Sequence, residues 1–118
     1  MHIIKTIALA AAIAPTASLA QCYRDGLTCK WWTSNGNRFR CGKPKADFNG
    51  TRRFVKEGDV VQVGNETRNY VVMSSTKDRS WSVLCKNPKY EHYPGPQCCH
   101  DYDVGCWTGW RILLCWDE

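Results

Sequence analysis

Eight cysteines, Cys22, Cys29, Cys41, Cys85, Cys98, Cys99, Cys106 and Cys115, fall after position 20 of a 118-residue chain, and their redox state decides what the chain can fold into. An even count in a short secreted sequence reads as a framework of four disulfides, whereas a reducing compartment would favour metal ligands or reactive thiols. The N-terminus favours the oxidising case. Lys5 supplies a positive start, residues 7–13 are an unbroken apolar stretch, and Pro15 and Thr16 interrupt it. Ser18-Leu19-Ala20 then places small residues where a signal peptidase cuts. Residues 1–20 are therefore expected to be a signal peptide, and residues 21–118 a single mature, secreted domain beginning at Gln21. The apolar stretch is shorter than the roughly 20 residues a bilayer span needs, and no later one replaces it, so no transmembrane segment is expected.

The bridges answer a shortage. Beyond residue 20 the chain holds one isoleucine, four leucines and eight valines, a thin supply for a hydrophobic core. Small domains of this kind add staples, each contributing about 2–4 kcal/mol by constraining the unfolded chain. Connectivity stays open, because eight cysteines allow on the order of a hundred pairings. Adjacent Cys98 and Cys99 are expected to bond different partners.

Short β-prone runs separated by turn residues predict an all-β fold, a small disulfide-rich sandwich or barrel of about seven strands. Residues 28–32 and 38–42 flank Asn35-Gly36, a strong hairpin signal. Further runs cover 51–56, 60–63, 68–73, 80–86 and 110–116. In the 80–86 run, alternation sets Trp81, Val83 and Cys85 on an inner face. In the last run Trp110, Ile112, Leu114 and Trp116 share one face and Arg111, Leu113 and Cys115 the other, the mark of a central strand. Any helix is expected to be short. Residues 86–106, rich in Pro, Gly and Tyr, read as a long ordered loop pinned by cysteines.

Six tryptophans in so short a chain are the main candidates for function. Trp81 and Trp116 are assigned to the core, where large rings replace missing aliphatics. Neighbouring Trp31 and Trp32 must point to opposite faces. With Asn35-Gly36 as the turn, Trp32 faces inward with Phe39 and Cys41, and Trp31 is left outside beside Arg38 and Arg40. That register forbids a Cys29–Cys41 bridge and predicts a flat aromatic platform with a cation–π partner. A second candidate surface is the loop bearing Tyr90, His92 and Tyr93. The expected partner is an extracellular protein or glycan.

Other chemistries are weaker on these residues. A ribonuclease-like or toxin-like protein would use His92 with Glu91, but both mature histidines sit in one loop, and no catalytic residue is assigned. Cys98-Cys99-His100 with Asp101, Asp103 and Cys106 offers ligand atoms, yet oxidised neighbours disfavour zinc, so no metal or cofactor is expected. The formal charge of +5, or +4 without Lys5, is mildly basic, with no run resembling a nucleic-acid footprint. The basic set Lys43, Lys45, Arg52, Arg53 and Lys56 is split by strand alternation and reads as solvated surface. Asn49-Gly50-Thr51 and Asn65-Glu66-Thr67 are glycosylation sequons in turns. A monomer is expected.

The signal ending Ser18-Leu19-Ala20, the Gln21-Cys22 start and the eight cysteines resemble the class of fungal small secreted cysteine-rich proteins, which includes effectors and antimicrobial proteins. Hydrophobins, with two Cys-Cys pairs, and plant lipid-transfer proteins, helical and with Cys-x-Cys, do not fit. The resemblance implies extracellular action on another organism or on the wall, and it supplies no substrate and no catalytic residues. With catalysis and metal binding weak on the residues themselves, a non-enzymatic, effector-like protein that acts by binding is expected, with a cell-wall glycan-binding module as an alternative.

Overall fold

The computed structural model describes residues 11–13, 18–35, 39–102 and 105–117. Among them the order is β1 (Ala11–Ile13), β2 (Ser18–Arg24), β3 (Leu27–Trp32), β4 (Lys45–Phe48), β5 (Thr51–Phe54), β6 (Val60–Val63), β7 (Tyr70–Ser75), α1 (Trp81–Cys85), α2 (Pro96–His100) and β8 (Ile112–Trp116). The fold is mostly β, as expected. Seven strands, β2 to β8, pair antiparallel, and the three-residue β1 joins β6 in parallel. The large sheet runs β1-β6-β7-β8-β3-β2, and β4-β5 form a separate hairpin. The segment expected as a signal peptide thus supplies β1 and the first residues of β2.

Strand β8 is the centre of the molecule. It lies between β7 and β3, and all five of its residues are buried. Its alternating side chains divide the interior in two. Ile112, Leu114 and Trp116 join Trp32, Val61, Val72, Tyr70 and Trp110 on one face, closed by Ala46 and Val55 from the β4–β5 region. Leu113 and Cys115 join Trp31, Cys29 and Cys22 on the other face, closed by Leu84, Cys85, Cys98, Cys99 and Tyr102. The β4–β5 hairpin therefore packs over one face of the large sheet, and both short helices cover the other.

The second interior is built largely of sulfur. All eight cysteines are bridged: Cys22–Cys98, Cys29–Cys115, Cys41–Cys106 and Cys85–Cys99. Cys98 and Cys99 have different partners, and Cys29 and Cys41 are not joined. Three of the bridges lie wholly in the helix-side interior, tying α2 to β2, α1 to α2, and β3 to β8.

Two local expectations are corrected. Residues 28–32 and 38–42 do not form a hairpin with each other. β3 has β2 on one edge and β8 on the other, so both its edges are filled from elsewhere. Arg40 instead makes an isolated bridge to Thr108, and Gly36 and Arg38 lie outside the described residues. Residues 80–86 do not form a strand. Ser80 caps α1 by accepting a hydrogen bond from the Val83 N–H at 3.3 Å, and the inward residues become Leu84 and Cys85. Trp81 and Val83 are consequently exposed rather than core.

Candidate functional site

Trp31 is not an exposed platform. It is fully buried, its Nε1–H donates to the Cys98 carbonyl at 2.8 Å, and Tyr102 meets its ring edge-on at 5.4 Å. Alternation placed it correctly opposite Trp32, but the face expected to be solvent is roofed by α2 and the bridges. Arg40 is exposed, and its pairing with Thr108 carries it to the segment that follows Cys106.

The Tyr90–Tyr93 loop is packed, not projecting. Tyr90 and Tyr93 rest half-buried against the helix-side core. Successive turns hold the loop through Tyr90 N to Asn87 O at 3.0 Å and Tyr93 N to Tyr90 O at 2.9 Å. His92 meets Tyr90 edge-on at 5.6 Å, its backbone carbonyl accepts from the Ser74 hydroxyl, and its Nε2 lies 3.4 Å from Glu91 Oε1. The aromatic residues here serve first to seal the disulfide core.

The exposed aromatic platform is made instead by Phe39 and Trp107. Trp107 is 76% exposed, the most exposed large apolar side chain among the described residues. It stacks on Phe39 with centroids 4.7 Å apart and planes 17° apart. An indole supported on one face and open to water elsewhere is costly to leave unused and presents a rigid apolar surface. The support is unusually firm. The Cys41–Cys106 bridge ties the two segments one residue away from Trp107. Trp107 N donates to Phe39 O at 2.7 Å, Cys41 N to Thr108 O at 3.0 Å, and Trp110 N to Gly42 O at 3.0 Å. Gly42 and Gly109, both at positive φ, let the two backbones touch.

The sequence held part of this signal. Trp107 sits among Gly105, Cys106, Thr108 and Gly109, neighbours too small to bury an indole. Phe39 could not be assigned to it without the Cys41–Cys106 pairing. Both sequon asparagines, Asn49 in the β4–β5 turn and Asn65 after β6, are exposed.

Among the described residues no group of three or more His, Cys, Asp or Glu side chains is arranged to hold a metal ion. No described helix is long and apolar enough to cross a membrane. Compared with protein-family models, curated proteins and solved structures, the chain matches none. What fold and sulfur chemistry define is a class: a small, mostly β, cysteine-rich protein with four disulfides, consistent with an oxidising, extracellular setting.

Proposed function

We propose that this protein is a secreted, non-enzymatic, effector-like binding module that seats a sugar ring of an extracellular glycan on the Phe39–Trp107 platform. The observation that carries the reading is the rigid exposure of Trp107: an indole 76% open to water, backed by Phe39 and fixed by a disulfide one residue away. A flat aromatic face suits the C–H-lined face of a pyranose, and a pre-organised one loses little entropy on binding. Removal of residues 1–20 leaves every bridge intact, since Cys22 is the first cysteine.

Retention on insoluble polysaccharides such as chitin and β-glucan tests the reading. Trp107→Ala is expected to lose at least about tenfold in affinity, the share of a central aromatic anchor, with stability within about 1 kcal/mol of the wild type. Undiminished retention sinks the platform. Intact mass of the secreted protein, before and after reduction, checks the Gln21 start, the four bridges and any glycan on Asn49 or Asn65. The contact of His92 with Glu91 is the observation that favours a ribonuclease-like alternative. RNA cleavage that disappears in His92→Ala would replace the binding reading with it.

A further inference from the structure

A second surface lies at the β4–β5 hairpin. Trp110, three residues after Trp107, takes the Gly42 carbonyl through its backbone N–H and meets Phe54 edge-on at 5.2 Å. Phe54 is 38% exposed at the open end of the β4–β5 hairpin, opposite Lys45. Two ammonium groups converge on it: Lys45 Nζ lies 4.7 Å and Lys77 Nζ 5.6 Å from its centroid. Lys77 Nζ is also 5.4 Å from the Trp110 centroid. Lys43 and Lys56 are exposed at the ends of the same segments.

The split expected along this basic run does occur, and it is informative. Arg53 is tied down: it stacks on Phe48 at 3.9 Å and forms a two-pronged pair with Asp59, which holds its guanidinium above its ordinary pKa. The other cations stay outside. Asp47 lies 3.8 Å from Arg52, and Asp78 3.8 Å from Lys77; with Asp59 and Glu57 they set four carboxylates against Lys43, Lys45, Arg52, Arg53, Lys56, Lys77 and Arg79. Beside Lys77 opens a cleft of about 340 Å³ lined by Lys56, Lys77, Asp78 and Arg79, with Arg79 engaged by Glu57.

We infer that this face binds an acidic polysaccharide, a polymer of sugars bearing carboxylate or sulfate groups. Like charges gathered over one ring repel each other, and an anion set between them turns that repulsion into attraction. An exposed Phe54 ring flanked by ammonium groups matches a polymer whose units carry both an apolar sugar face and a charge. The inference takes the sugar from the platform reading and rests on it there; the charge comes from a separate set of residues.

The test is binding of the full secreted chain to polygalacturonate, with neutral dextran and anionic phospholipid vesicles as comparisons, over a range of salt. The wild type is expected to bind polygalacturonate above dextran, with affinity falling as salt rises. The double variant Lys45→Gln/Lys77→Gln is expected to bind it about tenfold more weakly and with a shallower salt dependence. Lys45→Arg/Lys77→Arg is expected to retain binding. Unchanged affinity in the glutamine variant overturns the inference, as does salt-independent binding or preference for the vesicles. Loss in Trp107→Ala with no loss in the glutamine variant removes this inference and leaves the platform; the converse removes the platform and leaves this face.

Discussion

Gly109 and Gly42 are in backbone contact: a Cβ built on Gly109 would lie 1.9 Å from the Gly42 carbonyl oxygen. Gly109 also has φ of 71°, where a side chain is strained. The same carbonyl accepts the Trp110 N–H, so contact and hydrogen bond brace one spot. Gly109→Ala is expected to cost about 3 kcal/mol, combining overpacking with left-handed strain. Thermal melting is expected to drop by roughly 10–20 °C, and the environment-sensitive fluorescence of Trp107 to shift. A melting curve matching wild type would mean the two backbones are not this close.

The Cys41–Cys106 bridge spans 65 residues, a loop whose closure is worth about 4 kcal/mol in the chain-entropy model. Neither cysteine belongs to the two apolar clusters. Its removal is therefore expected to lower stability while leaving the sheet, whereas removing Cys29–Cys115 strikes the centre of β3 and β8. In Cys41→Ser/Cys106→Ser, circular dichroism should keep its β signature and glycan retention should fall, because Phe39 and Trp107 lose their tie. Full retention in that variant would show the platform to be held by its backbone bonds alone.

Trp31 and Trp107 should separate cleanly in denaturant unfolding. Trp31→Ala removes a fully buried ring and orphans the Cys98 carbonyl, an expected loss of about 3–5 kcal/mol. Trp107→Ala removes a mostly solvated one and should stay within about 1 kcal/mol, the stack on Phe39 being its main packing contact. Equal losses would contradict the assignment of one ring to the core and the other to the surface.

That contrast marks where the sequence was legible. Alternation assigned both faces of β8 and the opposition of Trp31 to Trp32, since strand geometry is local. What lies over a face is not local. Trp31 is roofed by Cys98 and Tyr102, some 67 residues away for the Cys98 contact, so the chain near Trp31 carries no sign of the cover. The Asn35-Gly36 signal was real as a turn propensity, but β8 supplies a more apolar neighbour for β3 than residues 38–42 do. In residues 81–85 the run Trp-Ser-Val-Leu-Cys alternates like a strand. Five residues are too few for a helical period to declare itself, and only the cap at Ser80 distinguished the two. The candidate site suffered most, because Phe39 meets Trp107 only through a bridge that spacing does not reveal.

Tyr70 links the sheet-side core to alkaline stability. Burial, then the Glu66 carboxylate accepting its hydroxyl at 2.9 and 3.0 Å, raises its pKa from 10.0 to about 12, with Arg68 acting in the opposite sense. The folded value lies above the unfolded one. The resulting stabilisation is present in full below pH 10 and is lost as pH climbs through about 12. Tyrosinate absorbance should therefore show Tyr70 ionising late. Tyr102, whose pKa burial also raises against the opposing charge of Arg111, should lag as well. In Tyr70→Phe one late-titrating group disappears and stability should vary less between pH 10 and 12, because the unfolded chain no longer gains by releasing that proton. At neutral pH the same variant should lose about 1 kcal/mol with the Glu66 hydrogen bond. If Tyr70 instead ionised at the ordinary tyrosine value of 10.0, the hydroxyl would have to be open to water, and the packing of Tyr70 against Trp116 at 5.3 Å could not stand as described.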